Sequence, residues 1–153
     1  MNSKASNDLV SNRRASYNYE ILDTFEAGIS LQGTEIKSLR DNGGSLQESY
    51  VKVISDELWL IGCHIAHYRY GNVHNHEERR DRKLLMHKRE IAKLRVATQE
   101  KGLSIIPLGM YLKEGRVKLK IATAKGKKSY DKRETIKARD EKRDIAKAIK
   151  NHT

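Results

Sequence analysis

The sequence predicts a mainly β domain with flanking helices, built from about six short antiparallel strands and two helices. Several segments alternate apolar and polar residues with the period of half-buried strands. The connections between these segments are mostly short, which favours antiparallel steps. The last thirty residues carry eleven Lys and Arg against five Asp and Glu, and so hold six of the chain's eleven net positive charges. Such a segment cannot build a core, and it predicts a basic tail behind the domain.

Composition divides the chain into three parts. Residues 1–11 are small and polar without periodicity, and we expect them to be disordered. Residues 12–123 suffice for a single core, and residues 124–153 form the basic tail. No stretch has the length of a transmembrane helix, and the start lacks the pattern of a signal peptide. A single cysteine, Cys63, fits a reducing compartment and most simply packs in the core. We therefore expect a soluble, cytoplasmic protein.

The first strand and the first helix are predicted by a change in the spacing of apolar residues, from every second position to every third. Tyr17, Tyr19, Ile21 and Phe25 share one parity, against polar residues at 18, 20, 24 and 26, which predicts a half-buried strand. Ile36 and Leu39 then lie three positions apart before Gly43-Gly44, which predicts a short helix over 33–42. Lys37 and Arg40 share the other side of this helix.

A hairpin and a loop are expected next. Residues 50–54 and 58–66 flank a polar turn, and the second strand is apolar on both parities, which indicates a central position. Residues 67–82 are polar and irregular, and we expect a long exposed loop. Residues 82–86 suit either a strand or the start of a helix.

The second half predicts one helix and two strands. Residues 88–101 form the best helix, with Ile91 and Leu94 facing inward and Gly102 at its end. Residues 103–112 form a strand in which Pro107 indicates an edge or a bulge. Residues 116–121 alternate strictly between basic and apolar residues. Periodicity leaves two architectures open: a closed barrel of the oligonucleotide-binding type, or an open α+β sheet.

Catalytic motifs are weak. His64-x-x-His67 and His74-x-His76 lack further ligands at customary zinc spacing, and no nucleophile-elbow, Walker or dinucleotide pattern is present. We therefore predict no enzyme activity, no metal and no cofactor. The competing hypothesis is a metal-dependent nuclease that uses His74, His76 and Glu78.

Basic clusters point instead to RNA, whose phosphates bind Lys and Arg with counterion release. A single surface lysine usually only solvates the protein, but three clusters and a basic tail favour a binding function. Tyrosines can add stacking on unpaired bases. The clusters are Arg116, Lys118 and Lys120; Lys37 and Arg40; and Arg79, Arg80, Arg82 and Lys83; the stacking candidates are Tyr17, Tyr68, Tyr70 and Tyr130.

The tail has too few apolar residues to fold alone. Opposite charges three residues apart support a helix only weakly, by roughly 0.2–0.5 kcal/mol per pair. We expect a segment that is disordered in solution and becomes helical in an RNA-walled groove. The alternative is a solubilising tail that never orders.

Six motifs, in order along the chain, resemble the bacterial SsrA-binding protein family, SmpB, and the resemblance runs from Asn12 to about Ile149. They are NRRA at 12–15, YEI at 19–21 with TFEAGI at 24–29, GTEIKSLR at 33–40, RKLL at 82–85, REI at 89–91 and GKKSYDKR at 126–133. The chain departs from the family pattern at Glu77-Glu78, where Asp-Pro is frequent, and at Tyr130, where some members have His.

The resemblance implies a small barrel of the oligonucleotide-binding type that binds the tRNA-like domain of transfer-messenger RNA (tmRNA). It implies delivery of this RNA, with elongation factor Tu, to stalled ribosomes for trans-translation. It also implies that the tail acts in the decoding centre and message channel of the small subunit. A general tRNA- or ribosome-binding factor without a rescue role is the alternative.

The resemblance and the basic clusters together assign two sets of residues. The expected RNA-binding residues are Asn12, Arg13, Arg14, Glu26, Lys37, Arg40, Arg82, Lys83 and Leu85. The expected decoding-centre residues are Gly126, Lys127, Lys128, Tyr130, Asp131, Lys132, Arg133, Ile136 and Lys137.

Overall fold

The computed structural model describes residues 8–70 and 75–127. Nine strands and three helices lie in this part of the chain. The strands are β1 (Asp8–Ser11), β2 (Tyr19–Ile29), β3 (Gly44–Ser45), β4 (Tyr50–Ile54), β5 (Glu57–Ile61), β6 (His64–Ile65), β7 (Arg82–Leu85), β8 (Ser104–Lys113) and β9 (Arg116–Gly126). The helices are α1 (Ala15–Asn18), α2 (Gly33–Arg40) and α3 (Lys88–Gln99). No helix in the described ranges is long and apolar enough to cross a membrane.

Six antiparallel strands close into a ring. The order β8-β4-β5-β7-β2-β9 returns to β8 because β8 also pairs with β9. Strand β1 extends the sheet along β8, and β3 and β6 form a separate small pair. This closed, barrel-like arrangement confirms the barrel and excludes the open sheet. Its interior is apolar, with Leu58, Leu60, Leu119 and Ile121 fully buried.

Strand β9 shows how the sequence pattern produces the barrel wall. Val117, Leu119 and Ile121 are buried, whereas the basic residues between them face outward. Strand β8 pairs with β9 along its whole length, with a register shift between Pro107 and Gly109. This shift is the bulge that Pro107 predicted, since proline cannot donate to the ladder.

Local turn and cap chemistry explains the hairpin and the helices. Ser55 and Asp56 both have positive φ, as the two-residue turn between β4 and β5 requires. Gln32 and Glu35 form a capping box at the start of α2. Helix α3 buries Ile91 and Leu94, as predicted, and the chain leaves it through Gly102 at φ +66°.

Three expectations about the fold are wrong. Residues 8–11 are not disordered: they form β1, because Leu9 and Val10 are buried in the core beside β8. Residues 17 and 18 belong to α1, and the first long strand starts at Tyr19. The segment 67–82 is not a simple exposed loop, since His76 and Arg82 are buried. Residues 1–7 and 71–74 lie outside the described residues.

Candidate nucleic-acid interface

Strand register assembles a surface on the outside of β7, β2, β9 and β8. Gly28 lies opposite both Leu85 and Lys118, and Lys118 lies opposite Tyr111. Residues that pair directly across antiparallel strands share a face. One row therefore crosses four strands, with Leu85 at one end and Tyr111 at the other.

A second row lies beside the first, because Glu26 pairs with Lys120. Arg116 pairs with Lys113 at the β8–β9 turn and adds further positive charge. We call this surface the Glu26 face; it comprises Glu26, Leu85, Tyr111, Lys113, Arg116, Lys118 and Lys120.

Glu26 is held by two neighbours on β8. The Tyr111 hydroxyl donates a short hydrogen bond to Glu26 Oε2. Lys113 Nζ lies 3.3 Å from Oε1 and 3.4 Å from Oε2. The Tyr111 hydrogen bond, assisted by Lys113, keeps the pKa of Glu26 below its usual value. Burial and the nearby carboxylate raise the pKa of Tyr111 to about 12, so its proton stays available for donation.

The Glu26 face combines phosphate-binding cations with one fixed acceptor. Arg116, Lys113 and Lys120 are exposed, and Lys118 is half-buried. A concavity of about 630 Å³ adjoins Glu26, Tyr111 and Lys120. An ionised carboxylate accepts hydrogen bonds only, so Glu26 can receive them from base amino groups or a 2′-hydroxyl. The surrounding lysines offset its repulsion of phosphate.

Leu85 adds an apolar element to this face. Its side chain is 56% exposed, which is unusual for a large hydrophobic residue on a strand whose alternate positions are buried. It packs over Gly28, where an added Cβ would lie only 3.3 Å from Leu85 Cβ. The missing side chain at position 28 thus lets Leu85 lie close to the sheet, beside Glu26 in the next row.

Asn12 has a clear structural role. Its side-chain amide donates to the Pro107 carbonyl at 2.8 Å, and its backbone N–H donates to the Leu108 carbonyl at 2.8 Å. These bonds connect the segment after β1 to the bulge of β8. Arg13 and Arg14 follow it at the surface, outside the strand pairs that define the Glu26 face.

Arg82 cannot serve as the exposed RNA contact that the basic cluster predicted. Its side chain is 0% exposed, and Nε lies 2.6 Å from Glu35 Oε2. Its other nitrogens donate to the carbonyls of Cys63, Arg80 and Glu78 at 2.7, 3.0 and 3.1 Å. A guanidinium satisfied this fully belongs to the core of the fold.

Arg80 joins the same buried carboxylate. Its Nε lies 3.2 Å from both oxygens of Glu35, and Nη2 makes a further short contact with Oε1. Burial favours the neutral form of Glu35. The hydrogen bonds from Arg80, the Gln32 backbone and Arg82 outweigh that effect and lower its pKa. This network attaches the segment before β7 to α2.

The remaining predicted cations of the domain are exposed. Lys83 points outward from β7 and lies 3.2 Å from Glu57. Lys37 and Arg40 lie on the exposed side of α2, as the helical spacing predicted. Lys83 shares the outward parity of Leu85, two residues away on β7. Lys37 and Arg40 lie on α2, outside the strand pairs that define the Glu26 face, so the basic residues of the domain form more than one surface.

The described part of the tail begins as a continuation of β9. Gly126 pairs with Tyr19, and the Lys127 backbone N–H donates to the Asn18 carbonyl at 3.0 Å. Lys127 Nζ donates to the Ser16 carbonyl at 2.7 Å. The other predicted tail residues lie outside the described residues: Lys128, Tyr130, Asp131, Lys132, Arg133, Ile136 and Lys137.

Sequence reasoning missed Tyr111 and Lys113. The sequence held one indication of Tyr111: a hairpin register counted back from the two-residue turn Glu114-Gly115 places Tyr111 opposite Lys118. The burial of Arg82 also had a hint. Leu84 has the same parity and is apolar, so Arg82 was due to face the same way on a strand.

The histidines do not form a metal centre within residues 8–70 and 75–127, where no group of three or more His, Cys, Asp or Glu could hold an ion. His76 lies 2.9 Å from Thr34 Oγ1 through Nδ1, and Nε2 donates to the Ile65 carbonyl at 2.8 Å. His64 pairs with Glu78 at 3.2 Å. His74 lies outside the described residues.

Cys63 is free and buried, and burial raises its thiol pKa to about 11.

A closed β-ring with a lysine-rich outer face defines this protein as a small β-barrel of the nucleic-acid-binding class. The SmpB protein family model matches residues 9–151. The chain therefore belongs to the SmpB family, as its motifs indicated.

Individual relatives agree with this assignment. The chain is 70% identical over 143 residues to the SsrA-binding protein of Protochlamydia amoebophila, covering 94% of both chains. It is 53% identical over 148 residues to the SsrA-binding protein of Chlamydia caviae, covering 97% of this chain and 99% of the relative. A solved chain described under "tmRNA-SmpB: a journey to the center of the bacterial ribosome" is 42% identical, with a TM-score of 0.67, and the match covers 82% of this chain and 92% of that one.

Proposed function

We propose that this protein binds tmRNA and acts with it in trans-translation, the rescue of stalled ribosomes. The single observation that carries the proposal is the 70% identity to an SsrA-binding protein over 94% of the chain. The likeness to a solved chain described with tmRNA, SmpB and the ribosome supports it. The protein acts as a binding factor without catalysis, in the cytoplasm where ribosomes work.

The Glu26 face is the surface proposed to bind the tRNA-like domain of tmRNA. Its lysines supply counter-charges for phosphates, and Leu85 supplies an apolar contact for a ribose or base edge. Glu26 is already oriented by Tyr111, so little side-chain entropy is lost when RNA binds. A carboxylate acceptor among cations favours a defined RNA edge over any random phosphate backbone.

The tail is proposed to act beyond this face, in the decoding centre and message channel of the small subunit. Strand β9 runs from the Glu26 face directly into the tail, and the Lys127 bonds to α1 hold the point where the tail departs. The domain would thus hold tmRNA while the tail reaches the ribosome. Delivery by elongation factor Tu completes the proposal by resemblance.

A reconstituted tagging assay with purified ribosomes and tmRNA tests this function. The full chain should bind the tRNA-like domain and support tagging of a peptide stalled on a message without a stop codon. A truncation after Lys127 keeps β9 whole, so it should still fold and bind RNA while losing tagging activity.

Competition binding separates this proposal from the general tRNA-binding alternative. Excess tRNA should displace labelled tmRNA poorly. Equal competition by the two RNAs, or tagging by the truncated protein, would contradict the corresponding part of the proposal.

A further inference from the structure

A cluster of aromatic and basic side chains lies between α2 and the segment after β6, away from the strand pairs that build the Glu26 face. It is formed by Lys37, Tyr68, Arg69 and Tyr70, which we call the tyrosine cluster. Lys37 Nζ lies 5.8 Å from the centre of the Tyr68 ring, and the Arg69 guanidinium lies 5.0 Å from the centre of the Tyr70 ring. The two rings are 5.5 Å apart and nearly perpendicular, at 71°.

Hydrogen bonds between the Tyr68 backbone and the Asn75 side chain hold the tyrosine cluster in place. The Tyr68 N–H donates to Asn75 Oδ1 at 3.1 Å, and Asn75 Nδ2 donates to the Tyr68 carbonyl at 2.8 Å. This two-point bond fixes the backbone at the base of the cluster. The rings are therefore presented to solvent from an ordered support.

The exposure of Tyr70 distinguishes this cluster from aromatic side chains that pack in a protein core. Tyr70 is 73% exposed, the highest value among the large exposed hydrophobic residues of the described ranges. The ring contacts at this cluster leave most of that side chain in water. An exposed aromatic ring beside cations suits base stacking, because every nucleobase has a π-face and a nearby phosphate.

A concavity of about 330 Å³ adjoins the cluster, lined by Ser38, Asp41, Gly43, Ala66, His67, Tyr68 and Arg69. This volume is at the lower end of the range of roughly 300–1,000 Å³ for small-ligand pockets, and suits a single nucleotide. Asp41 lies 3.6 Å from Arg69 and is about half exposed. Such a surface pair is weak, so Arg69 can turn to a phosphate and leave Asp41 as an acceptor for a base.

The charge around the cluster also favours an anionic ligand. Lys37, Arg40 and Arg69 are exposed on α2 and the adjoining segment, and Asp41 is the acid paired within it. We infer that the tyrosine cluster binds an unpaired nucleotide of a structured RNA, with the base stacked on Tyr70 and the phosphate near Lys37 and Arg69. This inference rests on the proposed function and adds a separate contact to it.

The unpaired nucleotide can come from tmRNA or from ribosomal RNA, and two binding experiments distinguish these sources. The full-length chain and its Tyr70→Ala variant are titrated against the isolated tRNA-like domain of tmRNA, and separately against ribosomes stalled on a truncated message. Tyr70→Ala should weaken one of these interactions by about 5- to 150-fold, the usual range for loss of one stacked base. Tyr70→Trp should restore it, since stacking needs a ring and not the hydroxyl.

Tyr50→Ala is the matched control, because Tyr50 is also exposed, at 47%, but belongs to β4 outside the cluster. It should change both affinities less than twofold, and thermal unfolding should show that all three variants fold. The inference is overturned if Tyr70→Ala binds both RNAs as tightly as Tyr50→Ala does, or if Tyr70→Trp behaves like Tyr70→Ala. Failure of the unaltered chain to bind tmRNA at all would instead overturn the proposed function.

Discussion

Glu35 and Glu26 are both carboxylates held by basic neighbours, yet they belong to opposite environments. Glu35 is fully buried between Arg80 and Arg82. Glu26 is exposed on the outside of the barrel, with Tyr111 and Lys113 beside it. At Glu35, burial raises the pKa, but hydrogen bonds from Arg80, Gln32 and Arg82 outweigh it and lower the pKa. At Glu26, the Tyr111 hydrogen bond is the main cause of the lowered pKa.

The comparison shows that burial determines whether an ion pair mainly stabilises the fold or remains available to bind a ligand. A buried pair that loses one partner leaves a charge without solvent, so the Glu35 network is part of the fold. An exposed pair contributes little to folding and remains available to a ligand. Glu26 can therefore serve RNA recognition at small cost to stability, whereas Glu35 cannot be altered without damage.

The largest expected effect is at Arg82. Arg82→Gln should lower the free energy of unfolding by about 3–5 kcal/mol, because Glu35 loses a buried partner and three backbone carbonyls lose a donor. Urea unfolding followed by circular dichroism measures this. The adjacent Lys83→Gln is the control and should cost at most about 1 kcal/mol, since its pair with Glu57 is exposed. Similar losses in both variants would contradict the burial argument.

The next largest effect is the loss of the stabilising contribution of Glu35 in acid. The folded-state pKa of Glu35 is lowered from 4.5, so its contribution to stability is fully present above pH 4.5 and is lost as the pH falls through the lower folded value. The stability difference between the unaltered chain and Glu35→Gln should therefore be largest near neutral pH and shrink in acid. Urea titrations across this interval test it. A difference that stays constant would show that Glu35 is not ionised in the folded protein.

The Glu26 face should respond in RNA binding and hardly in stability. Glu26→Gln should weaken binding to the tRNA-like domain by about 5- to 150-fold, the discrimination expected from one well-placed base contact. Tyr111→Phe removes the hydroxyl that orients Glu26, and should weaken binding less, by about two- to tenfold.

Gel-shift titration and thermal unfolding provide the two measurements for these variants. Tyr50→Phe, which also removes an exposed tyrosine hydroxyl, is the control for Tyr111→Phe. A large fall in melting temperature for Glu26→Gln would make Glu26 structural and end the contrast with Glu35.

The smallest effect is expected for a single lysine of the same face. Lys120→Gln should reduce the slope of log affinity against log salt by about 0.7–0.9, the value for one phosphate contact. Affinities measured at several salt concentrations give the slope. An unchanged slope would show that Lys120 contacts no phosphate, and the bound RNA would then lie nearer to the Leu85 side of the face.

Much of the fold was predictable because each element has its own period. The alternation in β9 indicated which residues face the core, and the spacing of Ile91 and Leu94 indicated the inner side of α3. The family motifs also indicated the SmpB family, which the comparisons confirmed. The RNA contacts assigned to single residues remain predictions.

The buried and the exposed carboxylate networks were decided only by the tertiary structure. Arg82 meets Glu35 across 47 positions of sequence, and Tyr111 meets Glu26 across 85. Periodicity reports which side of its own element a residue occupies, so by itself the sequence determined α2, α3 and β9 and the outward sides of α2 and β9. Which distant side chains meet depends on register and on closure of the ring, because these alone set what each outward or inward side chain faces.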